Sequence, residues 1–271
     1  MAANDTYLHG HAEPVLRSHR WRTVENSAAY LLPHLREGQD VLDVGCGPAT
    51  ITIDIATRFP TSRVVGIDPV GAVLEGVPTT EIPANLTLRV GDIFDEDLPA
   101  GSADVVHAHQ VLQHLADPVD ALRRMRRLCR PGGVVAVRDV DYGAMSWAPS
   151  DPELDAWYTA YAEAATRDGH QPNAGRHLLG WALDAGFTDV TASASVWCFA
   201  TPTERAWWAE MWADRVTDPA SRLSGRLEQT GRGADERAAM AAAWHRWAAA
   251  PDGWFAAVHG ELIARVPSSA P

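Results

Sequence analysis

Cysteine is scarce. Cys46, Cys129 and Cys198 are the only three in 271 residues, odd in number and far apart, so neither a disulfide framework nor a CxxC zinc site can be assembled from them. A reducing compartment is the expectation. Basic charge is short as well: 23 Lys+Arg stand against 35 Asp+Glu, a formal charge of -12. Binding a nucleic-acid backbone needs a basic footprint, so no nucleic-acid partner is expected. A small anionic substrate held by one or two arginines stays open. Long apolar runs are missing too; none approaches the roughly 20 residues that span a bilayer. Met1-Ala2-Ala3-Asn4-Asp5 also lacks the basic-then-apolar order of a signal peptide. The expectation is a cytoplasmic protein without a membrane partner; the oligomeric state is not readable. There is no internal repeat, and the one biased tract is the Ala-rich stretch 238–250.

What is there is ordinary for a sizeable domain, or a domain with an insertion: 46% hydrophobic and 21% charged residues. Tryptophan is the exception. Of eleven, seven fall in the last third: Trp197, Trp207, Trp208, Trp212, Trp244, Trp247 and Trp254. The helical spacing of Trp207/Trp208/Trp212 and of Trp244/Trp247 makes them core residues first. Facing inward over a sheet, they would instead cap a planar or hydrophobic ligand.

Short β-branched runs alternate with helical patterns. A helical stripe runs over 13–35, through Leu16, Val24, Ala28, Leu31 and Leu35. Strands are expected at 40–45, 63–68, 86–90, 103–108 and 134–140, with helices at 49–56 and 118–128, the latter stopped by Arg130-Pro131-Gly132-Gly133. Strand, helix, strand in succession means parallel strands and right-handed crossovers, the α/β doubly wound class. After Tyr142 come helical patterns at 152–167 and 176–185, a strand at 190–199, a helical block at 203–250 and a closing strand at 254–266. A strand returning after a helical excursion reads as one domain over 1–271: an N-terminal region 1–36, a core 37–200, a helical insertion 201–252 and a final strand 253–266.

Chemistry collects where strands end. In Asp43-Val44-Gly45-Cys46-Gly47-Pro48-Ala49-Thr50 the glycines let the backbone approach a ligand, and the next helix offers free N–H groups. The third glycine of a dinucleotide fingerprint would fall at Thr50, so a pyrophosphate is poorly matched. Asp43, two residues before the first glycine, suits a cationic or polyhydroxylated ligand better. Asp68, ending the second strand, can accept both hydroxyls of a ribose. In Gly91-Asp92-Ile93, Asp92 could accept from an exocyclic amine while Ile93 packs on a purine. Ala108 to Leu115 carries His109, Gln110 and His114 after the fourth strand. All four tips lie where open α/β sheets bind ligands.

In order and spacing, VLDVGCGPAT (41–50), VVGIDPV (64–70), VGDI (90–93), AHQVLQHL (108–115) and LCRPGGVVAVRDV (128–140) resemble the class I S-adenosylmethionine-dependent methyltransferases. They are most similar to the small-molecule branch that includes the ubiquinone/menaquinone methyltransferases. The resemblance implies a seven-stranded Rossmann-like sheet whose last strand, 254–266 here, is antiparallel and inserted beside the fifth. It implies S-adenosylmethionine as donor, S-adenosylhomocysteine as product, and no metal. Gly45, Cys46 and Gly47 would then meet the donor's methionine part, Asp68 and Pro69 its ribose, and Asp92 and Ile93 its adenine; His109 and Gln110 would lie beside the sulfonium. Ala49 departs from the glycine usual at its position, a mild change if the backbone there is helical. In such a family the segment before the first strand often folds over the donor. Tyr7 and His11 are the candidates, then Arg20 and Trp21.

Each candidate carries a plainer alternative. His114, a candidate base, could be a helix-face histidine, and His11 an accident of the terminus. His107 and His109 share a strand face but have no third metal ligand nearby. Asp139, Asp141 and Tyr142 close the fifth strand and could touch the acceptor, or Asp141 could cap a turn. Asn173 and Arg176 are candidates to bind the acceptor, Arg176 by clamping an acidic or carbonyl oxygen, where Asn173 could instead be simply a helix N-cap. The function expected is methyl transfer to a small-molecule O, N or C nucleophile. The alternatives are a cyclase, lyase or isomerase that uses the sulfonium without methyl transfer, and an NAD-dependent oxidoreductase.

Overall fold

The computed structural model describes residues 18–95 and 98–268. They cluster into two compact units. The sheet unit holds His19–Asp139, Ala174–Ser195 and the chain from His259; the helical unit holds Ser18, Val140–Asn173 and Val196–Val258.

In the sheet unit the β-branched runs form β1 (Asp40–Val44), β2 (Arg63–Asp68), β3 (Leu86–Val90), β4 (Ala103–His109) and most of β5 (Cys129–Val140). The pairs β1–β2, β2–β3, β1–β4 and β4–β5 are all parallel. The central strands, buried on both faces, are mainly apolar runs instead of alternating ones, with Val105, Val106 and Ala108 of β4 all fully buried, whereas the edge strand β3 is mostly exposed. The register Val44↔Ile67 and Asp68↔Val90 brings the ends of β1, β2 and β3 to one edge. The closing strand β8 (Trp254–Arg265) lies beside β5, in the strand order β3-β2-β1-β4-β5-β8. It runs antiparallel to β5: Gly132 N donates to Val266 O at 2.8 Å, and Asp141 N to Val258 O at 2.9 Å. This is the expected doubly wound sheet with an antiparallel last strand.

Several elements differ in detail. The helix expected over 13–35 is broken among its described residues into a helical turn at 18–20, α1 (Val24–Ser27) and a 3-10 helix, Ala29–His34. Thr23 makes a capping box with Asn26, restarting the helix, and Ala28 at φ −141° ends it again. β5 begins five residues early, at Cys129, because Gly132, at φ 82°, bonds Val266 where a stop was expected. Among the described residues the sheet has eight strands where seven were expected, the extra one being the three-residue β6 (Ser146–Ala148), antiparallel to β8; β7 (Asp189–Phe199) also pairs β8.

Helices α2 (Thr50–Arg58), α3 (Gly71–Glu75), α4 (Pro118–Leu128) and α6 (Leu178–Asp184) belong to the sheet unit. The helical unit packs α5 (Pro152–Arg167), α7 (Pro202–Thr217), α8 (Arg222–Gln229) and α9 (Ala234–Ala249). Its core is aromatic. Trp157 meets Trp212 edge-on at 4.6 Å and Trp244 at 4.8 Å; Phe199 stacks on Trp208 at 4.2 Å, and Tyr142 on Tyr161 at 4.1 Å. Trp254 is the exception, 40% exposed.

Candidate functional site

The turn after β1 is built for close approach. Gly45 sits at φ 67°, where a Cβ would strike the Val111 side chain at 2.5 Å, and Gly47 sits at φ 55°, where among the described residues the nearest atom to its Cβ position is His19 Nδ1 at 3.9 Å. The first demands glycine twice over, by backbone and by space; the second favours it by backbone. Ala49 is also left-handed, at φ 58°. Alanine in place of glycine there is therefore not the mild change expected of a helical position: the methyl group costs about 1 kcal/mol in this conformation.

Two carboxylates hold the turn. Asp68, at the end of β2, accepts from Gly47 N and from Val70 N, both at 2.9 Å, so it ties the tips of β1 and β2 together. Asp43 is buried and spends both oxygens inside the protein, one on Thr52 Oγ1 at 2.5 Å and the other on His107 Nδ1 at 2.8 Å. It shapes the turn from beneath. Between them, Cys46 has its thiol pushed well above its ordinary pKa by burial and by Asp43 and Asp68, which keeps it protonated and a poor nucleophile. Pro69 follows Asp68 and leads toward α3.

At the third tip, Asp92 Oδ1 accepts from Phe94 N at 3.0 Å, and Asp92 N donates to Asp95 Oδ2 at 2.8 Å. Ile93 is 3% exposed and packs with Val44 and Ile67. At the fourth, His109 is buried and its pKa is driven well below the usual value, first by burial and then by Arg22 and Arg138, so it is neutral near pH 7. Gln110 follows at φ 54°. His114 ends a 3-10 turn, Leu112–His114, with its Nε2 3.0 Å from Gln113 Nε2. The turn is fastened from β5 by Asp139, which accepts from Gln113 N at 3.0 Å. Asp139 is fully buried, its other oxygen has no hydrogen-bond partner among the described residues, and burial lifts its pKa to about 7.

The structure therefore gathers Asp43, Gly45, Cys46, Gly47, Asp68, Pro69, Asp92, Ile93, His109, Gln110 and His114 on four neighbouring strand ends of the sheet unit. Arg176, exposed in the 3-10 turn Ala174–His177, belongs to the same unit. Tyr142 and Asn173 belong to the helical unit. There Tyr142 is a core residue, 6% exposed, and Asn173 Oδ1 accepts from Gly143 N at 2.8 Å. Tyr7 and His11 lie outside the described residues. Sequence reasoning missed Arg22, Arg138, His259 and Glu261. Arg138, on β5, is buried with Nε on Ser195 Oγ at 3.1 Å and 3.4 Å from Glu261, and burial pulls its pKa down to about 10. The available signal for Arg138 was the charged pair Arg138-Asp139 inside the otherwise apolar run 134–140.

A nucleoside with a cationic sulfur fits these groups. An acid ends β2, glycines line the turn after β1, and Thr50 stands where a diphosphate fingerprint would have its third glycine. Among the described residues no group of three His, Cys, Asp or Glu could hold a metal, and no helix is long and apolar enough to cross a membrane.

Comparison with known proteins settles the family. A family model for a methyltransferase domain matches residues 35–204. An uncharacterized methyltransferase of Schizosaccharomyces pombe is 32% identical over 95% of both chains. The chain belongs to the class I S-adenosylmethionine-dependent methyltransferases. A probable methyltransferase of Aspergillus luteorubrus is 27% identical to it, over 96% of this chain and 97% of the other. Among solved structures, a phosphoethanolamine N-methyltransferase 2 of Haemonchus contortus matches this methyltransferase with a TM-score of 0.56 at 19% identity. That match covers 89% of this chain but spans only 52% of the other, and it supports the shared fold.

Proposed function

We propose that this methyltransferase acts on a small-molecule acceptor carrying an O, N or C nucleophile, and that the four strand ends of the sheet unit are its donor site. S-Adenosylmethionine supplies a methyl group already activated by the sulfonium charge. The protein's part is to align the nucleophile and exclude water.

Asp68, with Pro69, is the ribose-side group; its carboxylate accepts two backbone N–H bonds, and a carboxylate has about four lone-pair sites with which to meet a diol as well. Gly45, Cys46 and Gly47 give the backbone floor under the methionine part, held in shape by Asp43. Asp92 frames the adenine with Ile93 behind it, and His109 and Gln110 stand at the sulfonium side. A neutral His109 is favourable there, because a second cation beside a sulfonium would repel it. His114, and His11 in the undescribed segment, are the proposed proton acceptors where the nucleophile is protonated, and Arg176 is the proposed anion contact. Tyr7 is proposed as a cover for the donor.

The single observation that carries the reading is Asp68, a buried carboxylate bonded at once to the glycine turn and to the second residue after its own strand. A small acceptor is supported by the net charge of -12, which disfavours nucleic acid, and by the solved relative named for phosphoethanolamine. The test is incubation of the purified protein with methyl-labelled donor and a panel of phenols, carboxylic acids, amines and enols. Labelled product with S-adenosylhomocysteine in equal amount is expected. Donor binding without labelled product across that panel would contradict the small-acceptor reading.

A further inference from the structure

We infer that His259, on the last strand, is a positioning residue for the donor site, acting through the side chain of Gln110. The inference rests on the donor-side placing of Gln110 proposed above. Three observations carry it. Gln110 is fixed in the left-handed region at φ 54°, and its N–H donates to Arg138 O at 2.7 Å, so its side chain leaves the β4 tip in one direction. Arg22 Nη2 donates to Gln110 Oε1 at 3.0 Å. Gln110 Nε2 lies 2.9 Å from His259 Nε2.

A guanidinium has donors only, so the amide oxygen of Gln110 must face Arg22 and its NH2 must face His259. His259 Nε2 must then accept, which places the imidazole proton on Nδ1 and makes the ring neutral. The ring is fully buried and stacks on neutral His109, centroids 6.4 Å apart and planes 19° apart. Among the described residues, His109 of β4 faces the ring, Arg22 reaches the same Gln110 amide, and Glu261 lies two residues along its own strand. A proton added to Nε2 would set N–H against N–H. Turning the amide over to avoid that would set its NH2 against Arg22. Either way one of the two bonds that aim Gln110 is lost. The last strand, 149 residues away in sequence, thus sets the orientation of a side chain at the tip of β4, and does so only while its imidazole is neutral.

The experiment is titration calorimetry with S-adenosylhomocysteine, on wild type, His259→Leu, His259→Gln, Gln110→Met and the double variant His259→Leu/Gln110→Met, with folding checked by thermal unfolding. The glutamine introduced by His259→Gln would offer an amide oxygen in place of Nε2, and cannot be protonated. Expected are a loss of affinity of about tenfold in His259→Leu and in Gln110→Met, no further loss in the double variant, and recovery to within about threefold in His259→Gln. Losses that add in the double variant, or a His259→Gln protein as weak as His259→Leu, would overturn the coupling. Failure of the wild type to bind S-adenosylhomocysteine would instead remove the donor site itself, and the inference with it.

Discussion

The two units differ in emphasis: both bury apolar cores and some charged groups, Arg205 and Arg215 among them in the helical unit, but buried carboxylates and imidazoles gather at the strand tips of the sheet unit. In the sheet unit, Asp43, Asp68, His107, His109, Asp139 and Arg138 are all out of solvent, and the hydrogen bonds of Asp43, Asp68, His107 and Asp139 fasten the strand tips. In the helical unit, Trp157, Trp212, Trp244, Trp247 and Phe255 are as deeply buried and meet mainly one another. Burying a polar group costs free energy unless each bond is replaced, so a cluster of them at one sheet edge marks a place where something other than packing is at stake. Burying an aromatic ring is favourable by itself, and marks a core. The teaching is that buried carboxylates and imidazoles gathered at strand tips mark the candidate site, while packed aromatic rings mark a core.

Substitutions can break that division. The largest effect should come from Trp157→Ala, which opens a cavity in the aromatic cluster and should cost about 3–5 kcal/mol in chemical denaturation. If the division holds, the folded variant keeps its affinity for S-adenosylhomocysteine within a few-fold; a loss of a hundredfold would show that the aromatic cluster is part of the donor site. Asp139→Asn comes next. The native carboxyl titrates near 7 where an unfolded one titrates at 3.8. The native state therefore holds its proton more tightly, and this group's stabilising contribution, full below pH about 4, is lost as pH rises through about 7. Wild-type stability should fall across that window by up to about 1.4 kcal/mol per pH unit relative to Asp139→Asn, whose amide oxygen still accepts from Gln113 N. Parallel pH profiles for the two proteins would contradict the assigned burial effect. The smallest effect is expected of Ala49→Gly, which relieves a left-handed alanine and should stabilise by about 0.5–1 kcal/mol. Destabilisation would mean that the conformation at 49 is not strained.

Much of the sheet was legible because its signals are local. β1 to β4 are β-branched runs each ended by a turn residue, α4 has proline at its start, and Asp68 is the last residue of its strand; all lie within a few residues of the pattern that reveals them. The 13–35 helix misled because its apolar stripe is real while Thr23 and Ala28 break the backbone beneath it. β5 was shortened because Pro131 and Gly132 read as punctuation, although a strand pairing with Val266 accommodates both. The Arg22–Gln110–His259 chain was out of reach, since its links join residues 88 and 149 positions apart and no local pattern announces such a bond. The role expected of Asp43 changed for the same reason: its partner His107 is 64 positions away.

One titration bears on all of this most directly. S-Adenosylhomocysteine added to wild type and to Asp68→Ala in a calorimeter should show binding that weakens about a hundredfold in the variant, because a charged acceptor of ribose hydroxyls and the anchor of Gly47 N are lost together. Equal affinity in the two proteins would mean that the nucleoside does not sit on the tip of β2, and the donor site would have to be sought elsewhere.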